Sequence, residues 1–171
     1  MTNNINDVED NFIAQWGTLG SSWGINKTMA QIHALLLIKP DPLTTDQIMD
    51  ELSISRGNAH TNIKQLIDWG LLMKVIKKGE RKELFIAEKD PWKMFCTITQ
   101  QRKRREMEPL LNVLKNCTED LNNISSNEAK RLHKQLNELT TFVNTGVSVM
   151  DKVSNSKQTV LTTLILKLLS K

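Results

Sequence analysis

The sequence predicts a mainly α-helical fold that carries one small β-hairpin. Three observations point there. Apolar residues recur at three- and four-residue intervals over most of the chain, which is the signature of helices with one buried face. Only 7 glycines and 4 prolines interrupt 171 residues, so few breaks separate the elements. One stretch, Leu71 to Ala87, reads instead as two short strand-like runs around a charged glycine turn. With 39% hydrophobic and 25% charged residues, the composition is that of an ordinary folded chain rather than a disordered one.

The elements follow in order. Ile5, Val8, Phe12, Trp16 and Leu19 define one face of a first helix, which Gly20-Ser21-Ser22 and Gly24 end. Asn26 caps a second helix with Met29, Ile32, Leu35, Leu36 and Ile38 on its apolar side, stopped by Pro40-Asp41-Pro42. Thr44 and Gln47 have the spacing of a capping box and open a short helix that buries Ile48, Met49 and Leu52. After the tight connection Ser53-Ile54, Ser55 caps a further helix running to about Trp69, with Gly70 as its stop. The hairpin pairs Leu71–Ile76 with Glu83–Ala87 across Lys77-Lys78-Gly79-Glu80-Arg81-Lys82. From Asp90-Pro91 the chain is helical again: Trp92, Phe95 and Ile98, then Leu110, Leu114, Cys117, Leu121 and Ile124, with a kink or break expected at Pro109. Beyond a turn at Asn122–Ser126, Ala129, Leu132, Leu136, Leu139, Val143, Gly146, Met150 and Val153 form a heptad-like seam suited to a coiled coil or a bundle. A closing helix pairs Val160/Leu161, Leu164/Ile165 and Leu168/Leu169.

Several function classes are disfavoured. The net charge of +4 is mild, so any positive surface must be local. Cys96 and Cys117 lack a CxxC or metal spacing and read as two small buried hydrophobes of a reducing compartment, with a redox switch as the alternative. His33, His60 and His133 are scattered, so neither a metal site nor a cofactor is expected. The polar, acidic N-terminus is not a signal peptide, and Val160–Leu169 is too short to span a bilayer. The expectation is a cytoplasmic protein without membrane association. It is not expected to be an enzyme, since no nucleophile–base pair, carboxylate pair or phosphate loop is present.

The informative unit is Thr44 to Ala87: helix, tight turn, capped helix, then a hairpin with a basic tip. That is the winged helix-turn-helix order, a scaffold that presents one helix to a DNA major groove. On the helix after Ser55, Ala59, Ile63, Leu66 and Ile67 form the apolar side. Arg56, Asn58, His60, Thr61, Lys64 and Gln65 lie opposite, and these are types that read base edges. An ordinary solvated face would look similar. The hairpin decides between them: Lys74, Lys77, Lys78, Arg81 and Lys82 place five cations in nine positions, opposed only by Glu80. Like charges repel at a solvated tip unless a polyanion is their neighbour.

The stretch from LTTDQIMDELSISRGN through LIDWGLL and KKGERKE to the DPW at Asp90-Pro91-Trp92 resembles the GbsR-like branch of the MarR superfamily, over roughly Ile5 to Leu121. The resemblance implies a dimeric transcriptional regulator, usually a repressor and often released by a small ligand. It also implies that Ser55, Arg56, Asn58, Thr61 and Lys64 face the major groove, with Arg81 as the wing arginine in the minor groove. With His60, Gln65, Lys77, Lys78 and Lys82 these make the expected DNA surface. Residues 1–25 are expected to form a helix contributing to a homodimer, 26–90 the DNA-binding domain, and 91–171 a helical dimerisation region. Trp16, Trp23, Trp92 and Phe95 are candidates for a small-molecule effector site, because aromatic faces attract quaternary ammonium ions and the branch includes choline-responsive repressors. Tryptophans at helical spacing are more often ordinary core residues. Arg102-Lys103-Arg104-Arg105 reads either as a phosphate clamp or as a solvated helix face balanced by Glu106 and Glu108. The alternative function is a winged-helix module for protein or RNA contacts, which would need an apolar or acidic face on the Ser55 helix.

Overall fold

The computed structural model describes residues 4–79 and 81–156. The chain forms two compact units, one through Met94 and one from Phe95 onward. The helix predicted over Val160–Leu169 lies outside the described residues.

In the first unit, α1 (Ile5–Ser22) is followed by α2 (Lys27–Ile38), β1 (Leu43–Thr44), α3 (Thr45–Leu52), α4 (Arg56–Asp68), β2 (Leu72–Val75) and β3 (Leu84–Ala87). Helix α2 is the hub, packed by α1, α3, α4 and β3. It is therefore buried nearly all round, at Met29, Ala30, Ile32, His33, Ala34, Leu35 and Leu36. Ile48, Leu66 and Leu72 complete the most deeply buried set. The predicted caps form. Asn26 Oδ1 accepts from the Met29 amide, Thr44 and Gln47 bond reciprocally, and Ser55 Oγ accepts from the Asn58 amide.

The apolar face expected on α1 is offset from the one that packs. Ile13, Gly17 and Gly20 are buried, whereas Ile5, Val8 and Leu19 are exposed. The cause is close approach to α2. A Cβ at Gly20 would lie 2.5 Å from Ala30 Cβ, and one at Gly17 would lie 2.6 Å from Gln31 Cγ. Gly20 is thus a packing residue inside the helix rather than its end. A hydrophobicity pattern cannot register a face built from glycine.

The hairpin forms in the predicted place, with Leu72 opposite Ala87 and Val75 opposite Leu84. A third strand was not legible in the sequence. Leu43 and Thr44 pair with Phe85 and Leu84, giving the order β1-β3-β2. Two residues after Pro42 are too few to show alternation.

Helix α5 (Pro91–Arg102) opens with Asp90, whose carboxylate accepts from the Trp92 and Lys93 amides. The Asp-Pro-Trp motif is therefore a helix start, with proline where its missing N–H is not needed. A π-helical segment, Lys103–Met107, leads into α6 (Glu108–Leu121). The chain does not break at Pro109. In the π segment ahead of it the Glu108 amide donates to the Lys103 carbonyl five residues back, and Pro109 stands in the first turn of α6, where a missing N–H is tolerated. Helix α7 (Asn127–Ser154), capped by Ser126, packs on α6. Lys103 donates to both carboxylate oxygens of Asp151, at 2.7 and 2.9 Å, tying the π segment to α7.

The seam on α7 divides. Ala129 and Val143 are buried and Leu136 and Met150 half-buried in the unit. Leu132 and Leu139 remain 45% and 43% exposed, and Phe142, outside the seam, is 77% exposed. The cysteines depart from expectation: Cys96 on α5 is only half-buried, and Cys117 is exposed on α6, where Leu114 is the buried residue.

Candidate nucleic-acid interface

Helix α4 sorts its residues as a surface helix should. Ala59, Asn62, Ile63 and Leu66 are buried. Ser55, Arg56, Asn58, His60, Thr61, Lys64 and Gln65, every residue expected on the reading face, are exposed. The approach to α4 is a tight turn in which Ser53 takes the left-handed conformation, φ 51°. Short polar side chains tolerate that region better than branched ones.

Ser55 and Asn58, two of the expected contacts on α4, are partly engaged close to the start of the helix. Ser55 serves as the helix cap. Asn58 Oδ1 accepts from Asn62 at 2.7 Å, and Asn58 Nδ2 donates to Thr28 Oγ1 at 3.4 Å. Asn62 itself is buried, and its Nδ2 donates to both the backbone and the side-chain oxygen of Asn58. It stiffens the first turns of α4. The sequence reading missed Asn62, since a polar residue on an apolar face carries no periodic signal.

On the wing, Lys77, Lys78, Arg81 and Lys82 are all exposed. Lys74 pairs with Glu83 across the strands at 2.6 Å. Ile76, beside the tip, is 97% exposed, an apolar residue with no packing role in the first unit. Between α4 and the wing runs a groove of about 370 Å³, lined by His60, Lys64 and Asp68 on one side and Lys74, Glu83 and Phe85 on the other.

The N-terminus of α4 and the base of the wing meet at one carboxylate. Asp46, in the first turn of α3, accepts from Arg56 at 2.6 Å and from Lys82 at 2.8 Å. Lys82 and then Arg56 hold the Asp46 carboxyl below its usual range, mainly by hydrogen bonding. Nothing in the sequence ties position 46 to positions 56 and 82.

The effector candidates are distributed. Trp16 and Trp23 meet edge to face, with ring centroids 6.1 Å apart, and Phe12 and His33 flank Trp16. His33 is 4% exposed, its Nε2 has no hydrogen-bond partner among the described residues, and burial pushes its pKa down to about 4. Trp92 lies in the first turn of α5, and Phe95 opens the second unit. In the basic run, Lys103 is committed to Asp151, while Arg104 and Arg105 are exposed. Among the described residues no cluster of histidine, cysteine and acidic side chains could hold a metal, and no helix is long and apolar enough to cross a membrane.

A capped helix with a polar outer face, preceded by a tight turn and flanked by a cationic hairpin, defines a winged helix-turn-helix of the DNA-reading kind. The comparisons agree. The chain is 28% identical over 123 residues to the HTH-type transcriptional repressor GbsR of Bacillus subtilis (strain 168), spanning 67% of this chain and 68% of GbsR. It is 21% identical over 94 residues to the HTH-type transcriptional repressor OpcR of the same organism, spanning 55% of this chain and 51% of OpcR. A solved structure described as a transcriptional regulator superposes with a TM-score of 0.66 at 20% identity, covering 85% of this chain and 95% of that one, and shares the fold. No protein-family model matches. The resemblance to GbsR-like regulators of the MarR superfamily is borne out by these relatives.

Proposed function

We propose that the chain is a sequence-specific repressor that binds a pseudo-palindromic operator as a homodimer in the cytoplasm. In this reading α4 enters the major groove and the wing follows the backbone into the minor groove. The observation that carries it is the Asp46 bridge. One side chain reaches both Arg56 and Lys82, so the reading helix and the wing present their cations on a common face. Arg56, His60, Thr61, Lys64 and Gln65 supply base contacts; Lys77, Lys78, Arg81 and Lys82 supply phosphate or groove contacts.

The dimer reading rests on apolar residues that are exposed among the described ones: Ile5, Val8 and Leu19 on α1, Val113 on α6, and Leu132, Leu139, Phe142 and Val149 on α7. A second copy is the natural cover, because a two-fold partner would double the spaced reading helices. The first helix and residues 91–171 then serve dimerisation around a central DNA-binding domain. Release by a small ligand is the second part of the proposal. The Trp16–Trp23 pair offers aromatic faces to a cationic or apolar effector, with Trp92 and Phe95 as further candidates.

Selection of bound duplexes from a random library, followed by salt titration, tests the reading. The expected result is paired half-sites about one helical turn apart, roughly 34–36 Å, with affinity falling steeply as salt rises. Recovery of no sequence preference would overturn it. Titrating choline, betaine and small hydrophobic acids against tryptophan fluorescence and operator affinity tests the effector; no change in both signals at millimolar concentration removes it.

A further inference from the structure

The cations of the candidate interface are not equivalent in the free protein. Lys77, Lys78 and Arg81 form no ion pair among the described residues, whereas Arg56 and Lys82 share one carboxylate. Asp46 Oδ1 accepts from Arg56 and Oδ2 from Lys82, so each oxygen has its own cation. The three groups come from α3, the start of α4 and the wing. All are solvent-accessible, and exposed ion pairs contribute little to folding. The consequence of the bridge lies instead in what the two cations can reach.

A DNA phosphate and Asp46 compete for the same guanidinium and the same ammonium. On random sequence, each phosphate contact by Arg56 or Lys82 displaces an existing charge-assisted bond, and the net gain is small. At a matched site Arg56 meets a guanine edge, with two acceptors at fixed geometry, and Lys82 a phosphate at the same time. Both bonds to Asp46 are then replaced together. Asp41 and Asp50 line the groove between α3 and the wing beside Asp46, and their charge repels a phosphate there on matched and random sequence alike.

We propose that Asp46 is a specificity-determining residue, which withholds Arg56 and Lys82 from non-specific phosphate contacts and yields them at the matched sequence. The proposal rests on the DNA-binding reading. Asp46→Asn removes the charge while keeping the shape. Asp50→Asn is the control: it makes the same charge change in the same groove, on a side chain that pairs with neither cation. Wild type and both variants are titrated, over a series of salt concentrations, with a duplex selected by the wild type and with a scrambled duplex of the same composition. Asp46→Asn is expected to bind the scrambled duplex about five- to tenfold more tightly near 0.1 M salt, with a log–log salt slope steeper by about 1. The gain on the selected duplex is smaller, so discrimination falls; Asp50→Asn leaves discrimination unchanged. Asp46→Ser, which keeps a polar side chain in the first turn of α3, must repeat the effect. Equal gains on both duplexes in both charge variants, unchanged binding, or equal losses on both duplexes would each overturn the proposal. A wild type that binds neither duplex overturns the DNA reading itself, and is told apart because no variant is needed to see it.

Discussion

Helices α4 and α7 are both amphipathic, yet they spend their faces differently. On α4 every large apolar residue is at least half-buried, and the outer face is wholly polar. On α7 apolar residues run wider than the strip that α6 covers, so Leu132, Leu139 and Phe142 stay in solvent. A polar remainder suits a hydrated, anionic partner. An apolar remainder is unfavourable in water, and is relieved only by another apolar surface. The two exposed faces therefore predict two partners of opposite chemistry.

The largest effect should come from charging the uncovered strip. Leu132→Asp with Leu139→Asp is expected to give a helical monomer by sedimentation, because the new carboxylates would be buried only in the dimer. Leu136→Asp, half-buried within the unit, should instead lower the stability of the α6–α7 pair seen by circular dichroism. A double variant that remains dimeric would break the comparison.

The first unit should also be separately acid-sensitive. His33 is neutral in both states above pH 6.5, and its contribution there is complete. As pH falls from 6.5 toward about 4, the unfolded imidazole gains a proton that the buried one refuses, so stability declines through that window. The ceiling is about 3 kcal/mol. Denaturant titrations at neutral pH and near pH 4.5, followed by tryptophan fluorescence, should show the loss, and His33→Leu should flatten it. An unchanged pH profile in His33→Leu would assign the sensitivity elsewhere.

On the polar face, Arg56→Ala should weaken binding to the selected duplex by about 1–3 kcal/mol and relax sequence choice. Lys78→Ala should weaken all duplexes alike and flatten the salt slope by about 1. Equal losses on every sequence for Arg56→Ala would remove its base-reading role.

The smallest effect sharpens the comparison most. A Cβ at Gly57, in the first turn of α4, would meet nothing within 4 Å. No neighbour among the described residues requires a glycine there, and an exposed helical glycine costs about 0.5–1 kcal/mol relative to alanine. Gly57→Ala should thus stabilise the first unit slightly in a thermal melt while lowering DNA affinity, if the DNA backbone approaches where the Cβ would stand. Higher stability with unchanged affinity would make Gly57 a neutral surface residue.

Much of this protein is determined locally, and so was legible in its sequence. The caps at Asn26, Thr44 and Ser55 act over three residues, and the polar face of α4 follows from a single helical period. The hairpin is set by its own alternation and charged turn. What tertiary structure alone decided depends on distant or featureless residues. The buried face of α1 is set by Gly17 and Gly20 against α2, where the informative property is an absent side chain. The division of the α7 seam depends on how wide a strip α6 can cover, which no period specifies. The meeting of Arg56 and Lys82 at Asp46 joins positions up to 36 residues apart, brought together only when α3, α4 and the wing pack against α2.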